Sequence, residues 1–370
     1  MGIVLHITPA DWGLPSVNPS CLAAVLFLQL SIPGNFSVSE CTNPDASPTG
    51  QLPYLTHDHH VAVNFSSIVK YVSSLEGRKA GEYPNANIDQ GLSKFQLSQK
   101  TAWSTHAETH LGDLLYYMLY SVSSNWVNMT CQTLSSQFPR PQRYYVPFRI
   151  RELYRPRLEA AGLWSIPDVE KEPKKPFKPI SPEVEKVENT SVFLQAFEKE
   201  KVTEKAKPIL DLYSRLLKKD YFFERDRPSA LDAIVAAHIL LLLEPPYPDP
   251  VVKQLLLDSY PSLVTHARLI FSQTLAASAP AMSKVLAPIS TWRDVLPSMP
   301  WSRTSRTRSE DEIRFDKLRW SFFGLVVGSM VAYLSVVGRN VKIRIVRAED
   351  VAEEEEDEEL EEGDGELEDS

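Results

Sequence analysis

Cysteine is scarce in this 370-residue chain: Cys21, Cys41 and Cys131 are odd in number and lack metal-ligand spacing. That excludes a disulfide-built scaffold and a structural zinc cluster, and it favours a reducing compartment. Neither a phosphate-cradling glycine loop nor a G-x-S-x-G elbow is present, so nucleotide hydrolysis and serine-hydrolase chemistry have no sequence support. Positive charge is missing from Glu349 onward, where 15 of the 48 acidic residues lie. The net charge of −9 therefore hides a mildly basic body, 39 Lys and Arg against 33 Asp and Glu over residues 1–348. Such a body fits an anionic membrane surface or an acidic partner and is too weakly basic for nucleic acid. The apolar run 22–30 has no basic segment before it and follows a Pro/Asn/Ser cluster, so a helix is expected there and not a cleavable signal.

What is present is hydrophobic material, 43% of the residues, enough for about two domains. Ile3–Ile7 reads as a strand. Asn18 and Pro19 read as the cap and first position of a helix over 19–30, and Phe36–Glu40 as a second strand. Residues 53–56 and 61–63 read as two short strands around His57-Asp58-His59-His60, before a helix over 66–75 ended by Gly77. This order predicts a small mixed sheet covered by helices. Helical spacing dominates 92–138, 191–217, 229–243 and 251–275. The Pro/Lys/Glu-rich stretch 167–190 reads as a solvated insertion and 276–319 as a tether.

The run 320–338 carries no formal charge, and nineteen helical residues suffice to span ~30 Å of hydrocarbon. Basic residues flank both ends, so charge gives no orientation. A membrane span and a helix buried in the fold or against a partner both remain open. Trp320, Phe322, Phe323 and Tyr333 are the candidate membrane contacts. The acidic tail within 339–370 reads as a solvated tail or as a dock for a basic partner.

Two motifs are more specific. Gly50-Gln51-Leu52-Pro53-Tyr54-Leu55 precedes a helix containing Ile68, and Ser229-Ala230-Leu231-Asp232 is a capping box in which the Ser229 side chain meets the Asp232 N–H. Pro53, Ser229 and Asp232 are thus the structural residues. Together they resemble the glutathione-transferase architecture: an α+β fold with a thioredoxin-like N-terminal domain (1–80), an all-helical C-terminal domain (81–275), and here a C-terminal apolar helix and acidic tail. Asp11-Trp12-Gly13-Leu14-Pro15-Ser16-Val17 with Cys21-Leu22-Ala23, and Arg227-Pro228 leading into Ser229-Ala230-Leu231-Asp232-Ala233-Ile234-Val235, resemble the two signatures of the metaxin family. That resemblance implies a non-enzymatic subunit of the mitochondrial outer-membrane sorting and assembly machinery, its bulk facing the cytosol. It further implies a β-barrel core subunit and a second metaxin-like subunit as partners, with entry-translocase subunits and β-barrel precursors as further ones. The insertion and the acidic tail depart from the family pattern.

The resemblance also says where an active site would lie. A glutathione transferase stabilises a thiolate near the start of the first helix and holds the peptide's ammonium with an acidic-Ser pair before the third helix. That pair falls on Asn64 and Phe65, which supply neither the charge nor the hydroxyl. Ser16, Ser20 and Cys21 remain at the first position. Cys21 has two readings, an activated thiol at a helix N-terminus or a small apolar residue packed at its base, and the second is favoured. His57 and His59 invite a metal site but lack further ligands, and His106 and His110 are expected on an exposed helix face. No metal, no cofactor and no catalytic residue is expected. A thiol enzyme and a tail-anchored tethering adaptor are the rival readings.

Overall fold

A computed structural model describes residues 2–42, 47, 49–78, 83–164, 183–275, 283–285 and 310–340. Its contacts divide at Ala287 and Pro288. In the first unit, β1 (Ile3–Ile7) alternates buried and half-buried positions, as a strand with one covered face must. A turn follows in which Gly13 has φ +74°, open to glycine without strain. Helix α1 (Pro19–Ser31) starts where expected: Asn18 Oδ1 accepts from the Ser20 and Cys21 N–H groups, at 3.0 and 3.2 Å, while Pro19 needs no acceptor. Strand β2 (Phe36–Glu40) runs parallel to β1, and β3 (Tyr54–His57) pairs with β1 antiparallel. Strand β4 (His60–Val63) pairs with β3, and α2 (Phe65–Arg78) closes the motif. The Leu52–Pro53 peptide is cis, directly before β3. Helix α2 continues through Gly77 to Arg78, so the glycine does not end it.

The helical part begins with α3 (Lys94–His106), closed at its start by a Ser93/Gln96 capping box. The chain then alternates between α4 (Gly112–Tyr116), α5 (Ser123–Asn125) and α6 (Cys131–Gln137) and three wider π-helical turns, Ala107–Leu111, Tyr117–Ser121 and Trp126–Thr130. Helix α7 (Val146–Ala160) follows a cis Arg140–Pro141 peptide. Helix α8 (Glu183–Leu216) begins inside the stretch expected as a solvated insertion, whose residues 167–182 lie outside the described ones. Its opening Glu-Val-Glu-Lys-Val-Glu has helix-forming side chains, which outweigh the proline-rich context upstream.

Helix α9 (Ala230–Leu243) is buried at all fourteen positions and packs on α1, also covered on nearly every face. Helices without a polar face belong in the centre of a fold, and these two join the sheet to the helical part in one hydrophobic core. The helical stretch 251–275 consists of two helices, α10 (Val251–Ser259) and α11 (Pro261–Thr274), that meet at Tyr260–Pro261. Proline opens the second helix because it has no N–H for the first. Within the expected tether, Ser283–Val285 forms β5, parallel to β2, giving the sheet order β4-β3-β1-β2-β5. Lys284 Nζ lies 3.1 Å from Glu40 Oε1 beside this edge.

In the second unit, α12 (Glu310–Asn340) starts ten residues earlier than the apolar run; residues 341–370 lie outside the described ones. At 1.5 Å per residue its 31 residues extend about 46 Å. The segment Lys317–Val336 has mean hydropathy 1.3 and none of it is buried. Trp320, Phe322 and Tyr333 are exposed, and Phe323 lies edge-on to Phe322 at 6.1 Å.

Candidate functional site

In this fold the start of α1, the cis-Pro53 turn and the start of α2 converge on one end of the sheet. The hydroxyls of Ser16 and Thr8 are hydrogen-bonded at 2.5 Å, and the Asn18 N–H donates to Ser16 Oγ at 3.3 Å. Ser16 is fully buried, as is Cys21. Burial pushes the Cys21 thiol up to about 11, and hydrogen bonds from Thr8 and Ser16 oppose that only in part. That burial fits the packing reading and lends no support to an activated thiol.

The second half of the expected seat serves the fold. Asn64 sits at φ +64°, a conformation asparagine tolerates better than most residues. Its N–H donates to the Pro53 carbonyl at 3.1 Å and its Oδ1 accepts from the Ser67 N–H at 2.9 Å, capping α2. Phe65 is buried edge-on to Phe27 at 5.9 Å. One residue caps a helix and the other fills core. Neither offers a carboxylate or hydroxyl to a peptide ammonium.

The histidines are dispersed. His57 Nδ1 is 2.7 Å from the Tyr71 hydroxyl, His60 lies over the Tyr71 ring at 4.6 Å, and His59 occupies the exposed turn after Asp58 at φ +53°. The turn separates His57 from His59, and among the described residues no three side chains are grouped to hold a metal. His106 is not an exposed helix position: its Nδ1 lies 2.8 Å from the Tyr213 hydroxyl, and its ring is 4.3 Å from that of His110. Burial first, then the neighbouring His110, lowers its pKa.

A developed buried polar group among the described residues is structural. Asp232 Oδ2 accepts from the Ser229 N–H and hydroxyl, at 2.7 and 2.6 Å. Its Oδ1 accepts from the Phe222 N–H at 3.0 Å and faces His266 Nε2 at 2.9 Å. Asp232 and His266 are both buried. Asp89 adds a second carboxylate at the same helix start, accepting from the Ala230 N–H at 3.1 Å and from Lys100 Nζ at 2.7 Å. Two carboxylates at the N-terminus of α9 suit the helix dipole. The sequence pointed to the Ser229/Asp232 box but gave no reason to single out Asp89 or His266, which lie 143 and 34 residues from Asp232 in the chain.

Comparison with known proteins finds matches of three kinds. A family model described as outer mitochondrial membrane transport complex protein matches residues 21–151, and a glutathione S-transferase C-terminal domain model matches residues 206–270. Metaxin-1 of Macaca fascicularis is 27% identical over 237 residues, 64% of this chain and 64% of the relative. Human metaxin-1 is 27% identical over 64% of this chain and 44% of its own length, and the Drosophila melanogaster metaxin-1 homologue 26% over 66% and 64%. The aligned region thus spans less than two thirds of these relatives. Among solved structures, a glutathione S-transferase III in apo form covers 75% of this chain and 97% of its own, at 15% identity and TM-score 0.42. The glutathione transferase GSTFuA3 of Phanerochaete chrysosporium covers 75% and 98%, at 12% identity and TM-score 0.45. The chain is thus similar to metaxins over about two thirds of its length, to the outer-membrane transport-complex family over residues 21–151, and to a glutathione S-transferase C-terminal domain over residues 206–270.

Proposed function

We propose that this chain is a non-catalytic subunit of a mitochondrial outer-membrane transport complex, the sorting and assembly machinery, and supports insertion, assembly and release of β-barrel proteins. Its partners in this reading are the barrel core subunit and a second metaxin-like subunit, with contacts to entry-translocase subunits and arriving precursors, and its bulk faces the cytosol. The observation that carries the non-catalytic part is the conversion of the glutathione seat: Asn64 caps α2, Phe65 is core, and Cys21 is a buried thiol. The match to an outer-membrane transport-complex family supports the location. Helix α12 supports membrane attachment, since apolar side chains exposed around a helix over twenty residues call for lipid or a partner. Photo-crosslinking in isolated mitochondria tests the reading. Adducts to a β-barrel core subunit and to arriving barrel precursors are expected; adducts to neither would favour a tail-anchored tethering adaptor.

A further inference from the structure

In His106-Ala107-Glu108-Thr109-His110 two histidines are spaced one helical turn apart, a spacing that puts both on one helix face. The π-helical turn Ala107–Leu111 after α3 holds their rings side by side, with centres 4.3 Å apart and planes inclined at 48°. Their surroundings differ. His106 is half-buried, and Tyr213 of α8 sets its tautomer: the Tyr213 O–H donates to the Trp103 carbonyl at 3.2 Å, so its oxygen accepts from His106 Nδ1–H at 2.8 Å. Burial pushes the Tyr213 hydroxyl up, so it stays an O–H; burial and the neighbouring His110 push His106 down, toward the neutral ring. Nε2 of His106 is then a bare lone pair. Neither that nitrogen nor the exposed His110 ring has a hydrogen-bond partner among the described residues. His106 also lines an open recess of about 640 Å³ with Ser98, Thr101, Ala102, Thr105 and Thr109. The four hydroxyls there each donate to the helix carbonyl four residues back, at 2.8–3.2 Å. They offer the recess oxygen lone pairs and no free O–H. Imidazole nitrogens beside such a wall suit a cation and not an anion.

We propose that His106 and His110 form a two-imidazole site for a borderline divalent metal ion, with water in the remaining positions and Tyr213 as a positioning residue. Nitrogens about 2.1 Å from one ion, at roughly 90–109° to each other, put ring centres about 4.5–5.3 Å apart. The two rings therefore need to part by about 1 Å or less, a side-chain adjustment. Imidazole selects borderline ions, whereas Mg²⁺ and Ca²⁺ take oxygen ligands. Zn²⁺ is the ion that brings no redox chemistry to a reducing compartment. A hydrogen bond from the second ring nitrogen of a metal-bound histidine orients the ring and raises its basicity, which is the part Tyr213 plays. Two protein ligands make an open, exchangeable site, unlike the four of a structural zinc centre. The site is independent of the transport role proposed above.

Isothermal titration of zinc chloride into the full chain in mild detergent tests the site, with calcium chloride as the control ion. One saturable equivalent of Zn²⁺ is expected. It should be lost in His110→Gln, an exposed position, and weakened about ten-fold in Tyr213→Phe, while His59→Gln in the exposed β3–β4 turn binds as wild type. X-ray absorption at the zinc edge of the wild-type complex needs no variant to fold and should show two imidazole ligands. No saturable binding, or oxygen ligands alone, would overturn the proposal. Binding kept in His110→Gln would place the ion elsewhere, on the acidic tail for example, and binding lost in His59→Gln would place it at the β3–β4 turn; either result overturns the site. Equal binding of Ca²⁺ would overturn imidazole ligation, and unchanged affinity in Tyr213→Phe would overturn the positioning role.

Discussion

Replacing Asp232 by alanine should be among the most damaging single changes in this protein. The carboxylate is buried and accepts from two N–H groups and one hydroxyl while facing a buried imidazole nitrogen. Alanine leaves the Ser229 and Phe222 N–H groups and His266 Nε2 without acceptors in a site closed to water. Each such loss is worth about 1–3 kcal/mol. Because the donors share one carboxylate the losses do not add, and about 3–5 kcal/mol in total is expected. That is a large part of the 5–15 kcal/mol typical of a whole domain. Asp232→Asn should fall between wild type and alanine, since it keeps one acceptor oxygen and turns an amide N–H₂ toward the Ser229 N–H and hydroxyl. Ser229→Ala should cost about 1–2 kcal/mol. Urea unfolding of the full chain in mild detergent, followed by far-ultraviolet circular dichroism, ranks the three. A loss below about 1 kcal/mol for Asp232→Ala would refute the reasoning, because the network would then be replaceable by local relaxation.

Other consequences follow from buried titrating groups and from α12. Burial holds His238 at about 4, below the free value, so the unfolded chain binds the extra proton and stability is lost as pH falls from 6.5 toward 4. His238→Leu should flatten that slope in melting curves taken across this window. The Cys21 thiol, raised to about 11, remains protonated in the fold while the unfolded chain ionises near 9.0; it therefore contributes stability that fades as pH rises from 9 to 11. Mass spectrometry of iodoacetamide-treated native protein should find half-exposed Cys41 and Cys131 alkylated well before Cys21 at pH 8. Val327→Arg places a charge in the middle of the apolar segment and should oppose insertion by about 2.5–3.5 kcal/mol, lowering the carbonate-resistant fraction in mitochondria without altering the melting of the first unit. An unchanged resistant fraction would argue that α12 is held by a partner and not by lipid.

Much of the fold was legible in local chemistry. Asn18 and Pro19 announce α1, a short apolar run announces β1, and the Ser229/Asp232 pair announces α9. These signals act within four residues, where propensity and capping dominate. What escaped depends on distant or competing terms. Nothing near Ser283–Val285 marks a strand, because β5 exists through the free edge of β2, more than 240 residues earlier in the chain. Gly77 reads as a stop but continues α2. At the start of α2, Asn64 and Phe65 told by type alone that the charge and hydroxyl of a glutathione seat are lacking. Their new roles required the structure, because a cap and a core contact depend on where Ser67 and Phe27 lie. His106 was misplaced because the helical spacing hid Tyr213, a partner 107 residues away.

Assembly of a radiolabelled β-barrel precursor into isolated mitochondria depleted of this chain tests the central claim most directly. The account predicts that assembly falls on depletion and is restored equally by the wild-type chain and by Cys21→Ala, since no thiol chemistry is involved. Unaltered assembly after depletion would contradict the assigned process. Rescue by the wild type alone, with the Cys21→Ala chain folded and present at the same level, would contradict the non-catalytic reading.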